Sequence, residues 1–124
     1  MITGADAEDA AIVDLDRVRA IVSALGEARF LQYRGLLQTR LTDLGALLNA
    51  GSPAVVQAQA LAHQCHGSAS AMGLSQLARA LGEIEDLLRR GKVDLRALAA
   101  HDLADLQAVA WRVIAEQVPA LATS

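Results

Sequence analysis

Two histidines one helical turn apart, His63 and His66, are where this sequence concentrates its chemistry. The stretch around them reads Ala62-His63-Gln64-Cys65-His66-Gly67-Ser68-Ala69-Ser70-Ala71-Met72-Gly73. On a helix, His63, His66, Gly67 and Ser70 fall at i, i+3, i+4 and i+7 and share one face. Leu61, Cys65, Ala69 and Met72 form a second, apolar stripe. One face is therefore core, and the other is a histidine ringed by small residues. A neutral imidazole, well populated near its pKa of about 6.5, can attack as a nucleophile through one ring nitrogen or ligate a metal. Gly67 costs a helix interior about 1 kcal/mol relative to alanine. One turn after His63, it removes a side chain that would crowd the imidazole and block a partner's approach.

The metal alternative is short of ligands. His63 and His66 supply two, whereas structural zinc takes four and catalytic zinc three from protein. Glu85 or Cys65 would have to join, and Cys65 lies on the other stripe. No bound metal is expected. Nor is there a Gly-x-x-x-x-Gly-Lys pattern, a kinase-type glycine loop or a nucleophile–base arrangement, so an enzyme with turnover of its own is not expected.

The elements that must position these residues are all helical. Residues 1–12 are expected to form a flexible arm, because Gly4, Asp6, Glu8 and Asp9 offer no apolar face. A short leading helix is predicted over 14–25, capped by Asp14 or Asp16 and ended by Gly26, with Leu15, Val18, Ile21 or Val22, and Leu25 as its stripe. The second helix, 27–50, repeats Phe30, Tyr33, Leu37, Leu41, Leu44 and Leu48 at helical steps. Gly35 and Gly45 inside it are expected where neighbouring helices approach closely. Ser52 as N-cap and Pro53 at the first helical position open the third helix, 53–72, which Gly73 breaks. The fourth, 75–90, buries Leu77, Leu81, Ile84 and Leu88, places Arg89 and Arg90 in its last turn, and ends at Gly91. The fifth, 94–118, is capped by Asp94, kinked near His101-Asp102 and stopped by Pro119. Its apolar positions are Leu95, Leu98, Leu103, Leu106, Val109 or Ala110, Val113 and Val118. His101 has no motif around it and is expected to be solvated.

Connections of two to four residues make neighbouring helices antiparallel. The expected fold is all-α: an up-down-up-down antiparallel four-helix bundle with a short additional N-terminal helix, occupying residues 13–120. A chain of 124 residues is one domain, and at 53% hydrophobic it can bury a substantial core. With one Phe, one Tyr and one Trp, that core is aliphatic. The net charge of −3 argues against nucleic acid as a partner. A single cysteine excludes an internal disulfide and lets Cys65 pack as a small hydrophobe. No apolar run reaches transmembrane length, and acids stand where a signal peptide would carry Lys or Arg. A cytoplasmic protein without a membrane partner is expected.

The histidine stretch resembles the phosphoacceptor helix of histidine-containing phosphotransfer (HPt) domains. Their signature runs Ala-His-x-Leu-Lys-Gly-Ser-Ala and, a few residues on, Leu-Gly. Ala62-His63, Gly67-Ser68-Ala69 and Met72-Gly73 fit in register, while Cys65 takes the leucine position and His66 the lysine position. HPt domains share the bundle architecture read above. The resemblance implies that His63 accepts a phosphoryl group from a response-regulator receiver aspartate, or within a relay from a hybrid histidine kinase, and passes it to another receiver. It implies no cofactor for this chain, with Mg²⁺ held by the partner receiver. His66, in the lysine position, could donate a hydrogen bond to the phosphoryl oxygens and, when protonated, offset their charge.

Antiparallel pairing sets the middle of the fourth helix beside His63. Gly82 and Glu85 then lie at similar height, with Arg89 farther along, and Glu85 is the candidate to accept from an imidazole N–H and fix its tautomer. Gln59, Gln64 and Ser70 flank the histidine face and are candidate partner contacts. A receiver is expected over the exposed part of the second and third helices, with Arg34 and Gln38 as candidates from the second. No kinase or receiver segment is recognisable in the chain, so a separate carrier is expected, with an excised domain of a longer protein as the other option. Two further readings stay open: an HPt-like docking module that is not itself phosphorylated, and a His-x-x-His metal-binding bundle.

Overall fold

The structure, a computed structural model, describes residues 10–91, 94–98 and 103–122. Among the described residues six bounded helices carry it: α1 (Leu15–Leu25), α2 (Glu27–Ala50), α3 (Val55–Ala71), α4 (Ser75–Arg90), α5 (Leu95–Leu98) and α6 (Leu103–Gln117); residues 10–12 of the expected arm are helical as well. No strand occurs among the described residues, and the fold is the expected four-helix bundle with a short N-terminal helix. Helices α2, α3, α4 and α6 are its long members, and α3 packs most extensively on α4.

Local chemistry sets the boundaries. The Asp14 carboxylate accepts from the Arg17 backbone N–H at 3.2 Å and caps α1. Gly26, at φ +90°, turns the chain into α2. Gly91, at φ +73°, closes α4 in the left-handed conformation that glycine adopts without steric cost. The Ser52-Pro53 expectation is corrected: Ser52–Ala54 is a 3₁₀ turn, closed by Ala54 N–H donating to Gly51 C=O at 3.0 Å, and α3 starts at Val55. Of the expected fifth helix, α5 and α6 are described; the kink at His101-Asp102 and the state of His101 lie outside the described residues.

The core follows the stripes. In α4, Leu77, Leu81, Ile84 and Leu88 are all buried, each burial worth about 1.5–3 kcal/mol. In α2, Phe30, Leu37, Leu41, Leu44 and Leu48 are buried, while Tyr33 is partly so. Phe30 meets Trp111 of α6 edge to face, with ring centroids 6.4 Å apart. Leu25 is half exposed, because it ends α1 beside the Gly26 turn. After α6, the 3₁₀ turn Pro119–Leu121 returns Leu121 to the core.

Gly35 and Gly45 are not close-packing positions. A Cβ on either would meet nothing within 4 Å. The exposed polar side chains one turn on bond back to their carbonyls instead: Thr39 Oγ1 donates to Gly35 C=O at 3.1 Å, and Asn49 Nδ2 to Gly45 C=O at 3.0 Å.

Candidate functional site

The site begins with the small residues on the buried side of α3. Ala58, Ala62, Cys65 and Ala69 are all fully buried. Short side chains at a helix contact let the axes approach, so α4 lies close against α3. At its C-terminal end α3 is fixed by a Schellman turn. Leu74 N–H donates to Ala69 C=O at 2.9 Å, and Gly73 N–H to Ser70 C=O at 3.2 Å. The Gly73 carbonyl then accepts from Asp14 N–H at 2.8 Å, which ties α1 to the end of the histidine helix.

Glu85 is the centre of the site. It sits one turn after Leu81 on the buried stripe of α4 and is only 7% exposed. A buried carboxylate needs partners, and three donors reach it. His63 Nδ1 lies 2.7 Å from Oε1, His66 Nδ1 lies 3.0 Å from Oε2, and Arg89 donates to Oε1 at 3.0 Å. An ionised carboxylate only accepts, so both imidazoles present Nδ1–H and leave Nε2 with the lone pair or a second proton. The His63 hydrogen bond, ahead of that from His66, holds the Glu85 carboxyl below the ordinary carboxylate range, against the upward push of burial.

The two rings differ in access. The His63 side chain is 77% exposed and that of His66 is 40% exposed. His66 lies against Gly82 of α4: a Cβ there would come within 3.2 Å of ring Cε1 and 3.3 Å of Nε2. At Gly67 a Cβ would meet nothing within 4 Å. A Cβ alone would therefore not crowd the imidazole. What Gly67 leaves is open surface next to His63.

Gln64 and Ser70 are exposed and Gln59 is half-buried. Cys65 is fully buried, and burial pushes its thiol up to about 11. Among the described residues no group of three or more His, Cys, Asp or Glu side chains is placed to hold a metal ion. No described helix is long and apolar enough to cross a membrane.

Toward the C-terminal end of α3, α2 and α3 enclose a groove of about 190 Å³, lined by Tyr33, Leu36, Leu37, Arg40, Ser68, Ala71 and Met72. Leu36 is 53% exposed there. Arg34 and Gln38 do not share this groove. Two residues from Leu36 and Arg40, they are turned about 200° around α2, and they line a cleft against α6, where the Arg34 guanidinium lies 5.0 Å from the Trp111 ring centre. Leu36 and Arg40 were not among the expected contacts, though the same periodicity could have placed them. The bond from Arg89 to Glu85 was not expected either, though its i, i+4 spacing was the available signal.

Comparison with curated proteins finds no match, and neither does comparison with solved structures. The sequence does match the family model of the Hpt domain over residues 30–121, a span that takes in His63, His66, Glu85 and Arg89. That extent, on a helical bundle that pairs an exposed histidine with a buried carboxylate, settles the family: the chain belongs to the Hpt domain family, phosphotransfer modules of two-component signalling.

Proposed function

We propose that the chain carries a phosphoryl group on Nε2 of His63, accepting it from a receiver aspartyl phosphate and passing it to another receiver. The observation that supports this most directly is the 2.7 Å contact of His63 Nδ1 with Glu85, on a ring whose side chain is 77% exposed. With Nδ1 donating to the carboxylate, the Nε2 lone pair is the nucleophile and faces away from the protein's own hydrogen bond.

In the accepting step the Nε2 lone pair attacks phosphorus in line. The P–O bond to the aspartate breaks, and the aspartate leaves as its carboxylate with the electron pair. The new N–P bond draws charge from the ring, which becomes imidazolium-like while Nδ1 keeps its proton. Glu85 then stabilises the ring through a charge-assisted hydrogen bond. The reverse sequence returns the group to a second aspartate. The receiver contributes its Mg²⁺, which neutralises charge on the phosphoryl oxygens, and this chain contributes an oriented nucleophile without a cofactor of its own. A receiver docks over α2 and α3, covering the groove at Leu36 and Arg40 toward the end of α3 and reaching Gln59, Gln64 and Ser70 around the histidine.

The test is to incubate the protein with phosphorylated receivers and Mg²⁺ and to follow acid-labile, alkali-stable label. Wild type should take label that maps to His63, and His63→Gln should lose it. Receivers that bind the protein yet never label it would overturn the carrier function in favour of docking alone.

A further inference from the structure

A carboxyl group turns readily about its last side-chain torsion, whose preferences are broad and roughly two-fold. In Glu85 both His63 and Arg89 bond the same oxygen, Oε1. Two donors on one oxygen leave the group free to pivot about it. The contact that stops the pivot is on the other oxygen, where His66 Nδ1 meets Oε2 at 3.0 Å. His66 is itself backed by the bare backbone of Gly82, where a Cβ would come within 3.2 Å of the ring. A line of contacts therefore runs from Gly82 through His66 and Glu85 to Nδ1 of His63.

We propose that His66 is a positioning residue for His63: by holding Oε2 of Glu85 it keeps Oε1 on Nδ1 of His63. The acceptor ring is thereby held as the Nδ1–H tautomer with its lone pair on Nε2. An imidazole without such a partner distributes its proton over both nitrogens, and in the other tautomer Nε2 carries a hydrogen and cannot attack. His66 thus acts through a carboxylate and not on the phosphoryl group, because its Nδ1 is committed to Glu85 and its Nε2 lies against Gly82. For its consequence in transfer this rests on His63 being the acceptor; the tautomer does not.

Asparagine separates the two roles. Its amide nitrogen stands where Nδ1 of histidine stands, so His66→Asn keeps the donor to Oε2 and removes Nε2 altogether. The experiment is ¹⁵N NMR of the histidine rings in the full chain, read at the alkaline end of a pH series where the ring shifts no longer move, with His63→Gln for assignment and phosphotransfer rates alongside. Wild type and His66→Asn should show His63 as the Nδ1–H tautomer, and His66→Ala should show a mixture. Transfer should fall about tenfold in His66→Ala, a barrier change of one decade, and recover in His66→Asn. An unchanged His63 tautomer in His66→Ala would overturn the proposal. So would failure of asparagine where His66→Lys restores transfer, since that would make His66 a cation for the phosphoryl group. Absence of label from every receiver, with the tautomer results as expected, would remove the carrier function and leave the positioning role standing.

Discussion

The ring of His66 fills the space that a side chain on Gly82 would need, 3.2 Å from its Cε1 and 3.3 Å from its Nε2 to the position of a Cβ. Glycine inside a helix normally costs about 1 kcal/mol against alanine. Gly82→Ala should therefore melt no lower than wild type if His66 gives by a few tenths of an ångström. Gly82→Val needs a larger displacement, which pulls His66 Nδ1 off Glu85 Oε2. Its phosphotransfer rate should fall about tenfold while circular dichroism still reports a folded helical bundle. A valine variant that transfers at the wild-type rate would show that the ring's seat does not matter.

Glu85 should leave a mark on acid stability. Its carboxyl is held below the ordinary value of 4.5 by the His63 hydrogen bond first, then by His66. A carboxyl lowered on folding contributes stability that is fully present above its unfolded value and is lost as pH falls through the folded one. The stability difference between wild type and Glu85→Gln should thus shrink as pH drops below 4.5. Urea unfolding at a series of pH values measures it. A difference that does not change with pH would mean that the carboxylate's charge contributes nothing to the fold.

Gly67 makes a contrasting pair with Gly82, because a Cβ there meets nothing. Gly67→Ala should be stabilised by up to about 1 kcal/mol and should still transfer. Gly67→Leu should fold equally well but lose at least about tenfold in transfer from receivers, since its side chain occupies the surface a partner must cover. A thermal melt and a labelling time course separate the two effects.

The stripes of α2 and α4 were legible in the sequence because their large aliphatic residues recur at helical steps and nothing competes with that signal. Glu85 was placed at the height of His63 by antiparallel pairing alone. Its double engagement was not legible, since two imidazoles on the two oxygens of one carboxylate depend on how closely α3 meets α4. The alanines of α3 set that distance. Gly35 and Gly45 misled for a related reason: a helical glycine looks the same in sequence whether it faces a neighbour or solvent. Ser52-Pro53 carried a real boundary signal, but the turn closed as 3₁₀ before the α-helix began.

Cys65 offers a probe of the histidine helix that leaves the site untouched. It is fully buried on α3, two residues from His63, with its thiol pushed up to about 11. The thiolate is the reactive form, so burial and the raised value both suppress reaction. At pH 8 a disulfide reagent should modify Cys65 at least about a hundredfold more slowly in the folded protein than in urea. Fast labelling of the native protein would mean that α3 opens readily from the bundle.

Gly73 carries the strongest backbone constraint beside the site. At φ +82° it occupies a conformation that side-chain-bearing residues rarely adopt, and a Cβ would lie 2.8 Å from the Asp14 carbonyl oxygen and 3.1 Å from Arg17 Cβ. The obstacle is backbone, so a side chain cannot simply swing away. Gly73→Ala must either distort the Schellman turn or break the Asp14 N–H bond to the Gly73 carbonyl. A cost of about 1–3 kcal/mol is expected from the strained conformation, which in a domain of this size lowers the melting temperature by several degrees. His63 lies well before this turn, on the body of α3, so transfer measured well below the melt should stay near the wild-type rate. A variant that melts normally would show that α1 is not tied down here. One that stays folded but loses transfer would show that the junction of α1 with α3 also governs the presentation of His63.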